Sequence, residues 1–238
     1  MIEAKLAYKK LFEAIKSIEK DYLTVDYDES VPDCELQTER SFAYVLCSRW
    51  SSLLDQHPEK PISSNTLRLG GELTKHFKYK NGVISPDIVL HGGQKDIQNQ
   101  LIACEIKREL KDKKEVLQDI IKLYHYLNLR RVVIIDENND ECDYKDAKYQ
   151  IAVFIALNTS IADLKQYIHQ LFEEFSSIEI EPKYLDGISS KEDLKEAILS
   201  HGEKIICISV DTSSDNERTI VKPTLLRDCI LNNPYHLL

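Results

Sequence analysis

Apolar positions along this chain recur first with a helical period, then with a strand period, and the two then alternate. Ile2, Leu6, Leu11, Phe12, Ile15 and Ile18 fall roughly on one stripe, which predicts an amphipathic helix over residues 2–20. A second helix is predicted from near Leu36 to about Leu54, with Phe42, Ala43, Leu46, Trp50 and Leu53 on its apolar face. Short strand-like runs follow at Thr66–Leu73, Ser85–His91 and Leu101–Lys107. Val116, Leu117, Ile120, Ile121, Tyr124 and Leu127 then predict the inward face of a third helix. Arg131–Ile135 is apolar on both faces, the pattern of a covered central strand. An acidic turn region spans Asp136–Asp146, and Tyr149–Leu157 reads as another strand. Ser160 with Asp163, and Ser190 with Asp193, are spaced as helix N-caps. The first opens a helix carrying Ile161, Leu164, Ile168, Leu171 and Phe175; the second opens a shorter one through Leu199. Lys204–Val210 reads as a buried strand, Ser213–Asn216 as a loop, and the remainder ends in a docked tail.

This alternation predicts an α/β sandwich around a central mixed β-sheet flanked by helices. At 238 residues the chain suits one domain, 1–238. Within it, residues 1–35 form an N-terminal helix and loop, and residues 149–238 an α/β extension that lengthens the sheet and covers its faces.

Two of the apolar runs carry charge where a plain core strand would not. Read as a hairpin, Ser85–His91 and Leu101–Arg108 pair His91 with Leu101 and therefore Asp87 with Glu105. Opposed residues have Cβ atoms about 4.5–5.5 Å apart. Two carboxylates at that distance repel unless a positive charge lies between them. A divalent cation is the natural candidate, and Lys107 stands one same-face step further on. A slip of one residue in register would break the cluster. Glu39 falls on the apolar stripe of the second helix, three before Phe42 and seven before Leu46. An unpaired carboxylate there is costly. It either caps the helix end, lies solvated in the first turn, or points at a cation.

Pro86-Asp87 followed by Glu105-Ile106-Lys107 resembles the active-site signature of the PD-(D/E)XK nuclease superfamily, which has the restriction-endonuclease-like fold. The order helix, three strands, helix, strand over residues 36–136 is that of the superfamily core, so the resemblance covers somewhat under half the chain. It implies a Mg²⁺-dependent deoxyribonuclease, with Mn²⁺ as a substitute, serving restriction, phage defence, repair or mobile-element processing. Asp87 and Glu105 would hold the metal, and Lys107 would orient or help deprotonate the attacking water, with its pKa lowered by the ion. A glutamate on the preceding helix often completes the metal site in this superfamily, and Glu39 sits at the matching place. Glu72 is the competing candidate for a further ligand. Asp119 and Lys122 resemble a motif on the following helix of some members; they would act behind the metal ligands or be a solvated pair.

The net charge of −9 argues against a generally basic nucleic-acid coat. A local track remains open: Lys75, Lys78, Lys80, Arg108, Lys111, Lys113, Lys114, Arg130 and Arg131 flank the motif in sequence. The expected partner is nucleic acid, DNA above RNA, with a homodimer or larger complex left open. The six cysteines form no CxxC pair, and Cys47, Cys104 and Cys207 read as buried apolar residues. No run approaches the roughly 20 apolar residues of a membrane span, and the N-terminus does not read as a secretory signal, so a cytoplasmic location is expected. No P-loop, nucleophile elbow or close histidine pair occurs. The rival from another class is a non-catalytic nucleic-acid- or protein-binding module that retains the nuclease fold.

Overall fold

A computed structural model describes residues 4–20, 23, 34–55, 67–69, 77–79, 82–84, 86–91, 100–128, 131–135, 141–145, 148–185, 188–213 and 219–231. Helix α1 (Ala4–Lys16) packs its Ala7, Leu11, Ala14 and Ile15 against α2 (Cys34–Asp55), which contributes Phe42, Leu46, Trp50 and Leu54. The Trp50 indole N–H donates to the Ala7 carbonyl at 3.1 Å, fixing the two helices where both are buried. Among the described residues, no helix is long and apolar enough to cross a membrane.

The strands are β1 (Leu67–Leu69), β2 (Phe77–Tyr79), β3 (Gly82–Ile84), β4 (Ile88–His91), β5 (Gln100–Lys107), β6 (Arg131–Ile135), β7 (Glu141–Lys145), β8 (Ile151–Leu157), β9 (Ile205–Asp211) and β10 (Ile220–Leu225). Six of them form one mixed sheet in the order β1-β4-β5-β8-β9-β10. β5, β8 and β9 run parallel at its centre, and antiparallel strands close both sides. Parallel neighbours need crossovers, which pack helices over the faces. Here α3 (Lys113–Asn128) lies between β5 and β8 in sequence, and α4 (Ile161–Glu173) and α5 (Lys191–His201) between β8 and β9.

Side chains alternate across the sheet and so divide the core in two. Ile88, Leu90, Ile102, Cys104, Ile106, Val153 and Ile155 join α1 and α2. Val89, Ala103, Phe154 and Cys207 join α3, α4, α5 and the short α6 (Leu226–Ile230). The architecture is therefore α/β, with a mixed sheet between helical layers. Both predicted caps form: Ser160 and Ser190 accept from the amides of Asp163 and Asp193 at 3.2 and 3.1 Å.

Two expectations fail in topology. Arg131–Ile135 is not the central strand; it pairs with β7 in a separate two-stranded sheet. The strand beside β5 is β8, whose two faces are both covered. A continuous apolar run states that a strand is apolar, not which strand it joins. β7 also occupies what reads as an acidic turn. Beyond β9 the chain adds an edge strand, β10, and α6; the expected docked tail at its end, residues 232–238, lies outside the described residues. Pro223 is tolerated in β10 because an edge strand need not donate on its outer side.

Candidate functional site

The hairpin register follows the sequence pattern where it matters for chemistry. Ile88 pairs with Cys104, Val89 with Ala103 and Leu90 with Ile102. A shift between Leu90 and His91 sets His91 against Gln100, not the expected Leu101. This irregularity sits at the loop end and does not reach Asp87. Continued one residue, the register sets Asp87 against Glu105. Val89 and Ala103 face α3, so Asp87, Glu105 and Lys107 share that face by alternation.

The Asp87 amide still donates to the Cys104 carbonyl at 3.1 Å, but β4 begins only at Ile88, and among the described residues no strand pairs with the end of β5 on that side. Carboxylates take the ladder's place. The Ile106 amide donates to Asp87 Oδ2 at 2.7 Å, and the Arg108 amide donates to Glu39 Oε1 at 2.9 Å. Glu39 thus neither caps its own helix nor lies solvated in a first turn; it satisfies a backbone donor at the end of β5.

From the other side, α3 lowers a polar stripe onto the strand. Glu115, Asp119, Lys122 and Tyr126 follow at steps of four, three and four, which keeps them on one helix face. The Tyr126 hydroxyl donates to Glu105 Oε1 at 3.0 Å. Lys122 Nζ donates to Glu105 Oε2 at 3.2 Å and to Asp119 Oδ1 at 2.7 Å. Lys107 Nζ lies 3.3 Å from Asp119 Oδ2 and donates to Glu115 Oε2 at 3.1 Å. One continuous chain results, from Tyr126 through Glu105, Lys122, Asp119 and Lys107 to Glu115. Asp119 and Lys122 are no solvated pair, since their side chains are 7% and 20% exposed.

The electrostatics follow from this enclosure. Glu105 is 1% exposed. Burial, then the Asp87 charge, push its carboxyl well above the usual range, against the pull of Lys122 and the Tyr126 hydrogen bond. Burial also raises Asp87 and Glu39, each partly offset by its backbone hydrogen bond. Burial works against the Lys107 ammonium, but Asp119, Glu115 and Glu39 outweigh it, and its pKa rises. Lys122 rises likewise: burial opposes its charge, but Glu105 and Asp119 prevail. The expected lowering of Lys107 presumes a neighbouring metal ion. With Asp119, Glu115 and Glu39 around it, this lysine is held in its charged form and donates to Glu115.

Asp87, Glu105, Lys107, Asp119 and Lys122 are therefore gathered at one end of β5. Glu39 stands at the strand terminus, within electrostatic reach of Lys107, Asp87 and Asp119. Glu72 lies outside the described residues. Tyr126 and Glu115 are members that sequence reasoning missed. The signal was partial: Glu115, Asp119 and Lys122 are charged residues spaced along one face of α3, whereas the Tyr126 ring reads as core. Of the expected phosphate track, Lys75, Lys80 and Arg130 also lie outside the described residues. Lys111, Lys113 and Lys114 pair with Glu109, Glu174 and Glu179 on the surface. Comparison of the chain with protein-family models, with curated proteins and with solved structures found no match.

The donor set is one of hard oxygens, the class that suits Mg²⁺ and Mn²⁺. Among the described residues, no group of three or more His, Cys, Asp or Glu side chains is placed to enclose a metal. A Mg²⁺ site needs no such cage, since it commonly uses one or two carboxylates and waters. Asp87 Oδ1 and Glu39 Oε2 have no hydrogen-bond partner among the described residues, whereas both Glu105 oxygens are engaged. Five carboxylates (Glu39, Asp87, Glu105, Asp119, Glu115) surround two ammonium groups (Lys107, Lys122), and a divalent cation would favour the charged forms of the three that burial raises, Glu39, Asp87 and Glu105.

Proposed function

We propose that this chain is a Mg²⁺-dependent nuclease of the PD-(D/E)XK type that hydrolyses phosphodiester bonds, DNA above RNA, on a restriction-endonuclease-like core. The observation that carries the reading is the β4–β5 register. It brings Asp87, Glu105 and Lys107 to one sheet face, at the strand end where Glu39 also arrives. Asp87 and Glu105 would hold the ion, with Glu39 adding negative charge from the strand terminus. When bound, the ion would activate water and neutralise charge at phosphorus. Lys107, held charged by Asp119 and Glu115, would stabilise negative charge developing on the phosphate oxygens. Tyr126 and Lys122 fix the orientation of Glu105. Service in restriction, phage defence, repair or mobile-element processing, and a homodimer or larger complex, belong to the same proposal by analogy alone.

A second reading has its own support. The ion pairs satisfy Glu105, Lys122, Asp119 and Lys107 among themselves, as a purely structural network would. A non-catalytic nucleic-acid- or protein-binding module retaining the fold would need no more. Incubation with plasmid, linear and single-stranded DNA, and with RNA, in Mg²⁺, Mn²⁺ or EDTA separates the two. The nuclease reading expects cleavage that requires the ion and disappears in Asp87→Asn. Ion-independent integrity of every substrate would leave the binding module.

A further inference from the structure

The position of Lys122 raises a question that the nuclease reading does not answer. Its ammonium already occupies the place where positive charge beside Glu105 is needed. It is 3.2 Å from Glu105 Oε2 and 2.7 Å from Asp119 Oδ1, and its side chain is only 20% exposed. The Asp87 charge acts on it as well. A Mg²⁺ or Mn²⁺ ion on the same Glu105 oxygen would sit about 2.1 Å from it. Ion and ammonium would then lie within about 5 Å of each other, a distance at which two positive charges in a half-buried site repel by some kcal/mol. The other carboxylate oxygen is held by Tyr126, so Glu105 cannot simply turn away. Asp119 offers Lys122 a second seat, because it can keep the ammonium after Glu105 releases it.

We infer that Lys122 is a built-in counter-ion that competes with a divalent cation for Glu105 and so sets how readily the site takes up metal. The inference rests on the proposed metal site at Asp87 and Glu105. In the ion-free protein Lys122 bridges Glu105 and Asp119, and it yields Glu105 as the ion arrives. Lys107 is the internal control. It carries the same charge in the same cluster, but its contacts are Asp119 and Glu115, not Glu105. Long-range repulsion alone would make the two lysines equivalent, whereas direct competition makes Lys122 the stronger antagonist.

Mn²⁺ titration followed by the electron paramagnetic resonance of the free ion tests this without any cleavage assay. The set is the parent protein, Lys122→Met, Lys107→Met and Asp87→Asn, with folding checked by circular dichroism. Lys122→Gln serves if the Met variant does not fold, since it keeps a neutral donor toward Asp119. The expected result is Mn²⁺ affinity tighter by on the order of tenfold in Lys122→Met, against two- to threefold in Lys107→Met. Binding by Lys122→Met with none in the parent would support the inference still more strongly. Equal gains from the two lysine variants, or no gain, would overturn it, and loss of binding in Asp87→Asn would then leave the metal site standing. Binding that persists in Asp87→Asn, or is absent from every protein in the set, would remove both the site and the inference.

Discussion

β5 and β8 are parallel neighbours at the centre of the same sheet, and they differ at one end. Both are buried on two faces, and their residues pair directly. Glu105 stands beside Phe154, and Lys107 beside Ala156. β8 reads IAVFIAL, which is all that the fold asks of a covered strand. β5 matches it from Leu101 to Cys104 and then departs, with a carboxylate and an ammonium where its neighbour has a ring and a methyl group. Burial penalises that carboxylate, so the departure works against stability unless partners compensate it. The partners are at hand in Tyr126, Lys122 and Asp119. A fold that only needed a core would have repeated β8. The charged end of β5 is therefore where burial most opposes the charges the strand carries, and the comparison predicts opposite responses on the two strands.

The largest effect is expected on β8. Phe154 is fully buried against the α3 side of the sheet. Phe154→Ala should lower unfolding free energy by about 3–5 kcal/mol in a denaturant titration, the range for removing a buried ring. A loss below about 1 kcal/mol would mean that Phe154 is not packed as tightly as its burial implies.

The next effect should appear on β5, and in activity. Lys107→Ala leaves Asp87, Glu105 and their backbone contacts in place. If the lysine acts mainly in the transition state, single-turnover cleavage should fall by roughly 10²-fold or more, the scale of one lost preorganised donor. Stability should change much less than in Phe154→Ala, because the Lys107 side chain lies at the rim. Parent-like cleavage in this variant would end the role assigned to it, even in a working nuclease.

The contrast between β5 and β8 was partly legible in the sequence. Strand alternation together with an assumed pairing of His91 with Leu101 places Asp87 opposite Glu105; the structure keeps that register from Leu90 to Ile88 but shifts it at His91. Lys107 follows from the same alternation. What alternation cannot supply is the choice of neighbour. Arg131–Ile135 and Ile151–Leu157 are both apolar runs, and local pattern does not say which one lies beside β5. Tyr126 escaped notice for a related reason. Its ring reads as core, and only its hydroxyl carries the contact to Glu105. Glu39 was singled out correctly as a carboxylate needing a partner, but its partner is the Arg108 amide, 69 residues away, which no helical pattern reveals.

The smallest effect concerns Glu105 itself and gives the cleanest test of a strand that departs from its neighbour at some expense. Its carboxyl pKa is raised by folding, first through burial and then through Asp87. An acid whose pKa is higher in the folded state favours folding while protonated. That contribution is present below the ordinary carboxylate pKa and is lost as pH climbs toward the folded value. The ion-free parent should therefore lose stability as pH rises through the region above ordinary carboxylate values. Glu105→Gln keeps an acceptor for Tyr126, removes the repulsion with Asp87, and leaves Lys122 its contact with Asp119. Its pH dependence should be flatter. At neutral pH without divalent ions it should equal the parent or exceed it by about 1 kcal/mol, as buried charges replaced by neutral groups often do. Adding Mg²⁺ should reverse the ranking, since the ion stabilises only the protein that binds it. Denaturant midpoints at acidic and neutral pH, with and without Mg²⁺, would show this. A variant markedly less stable than the parent in the absence of metal would mean that Glu105 is held for the fold, and that β5 departs from β8 for structural reasons.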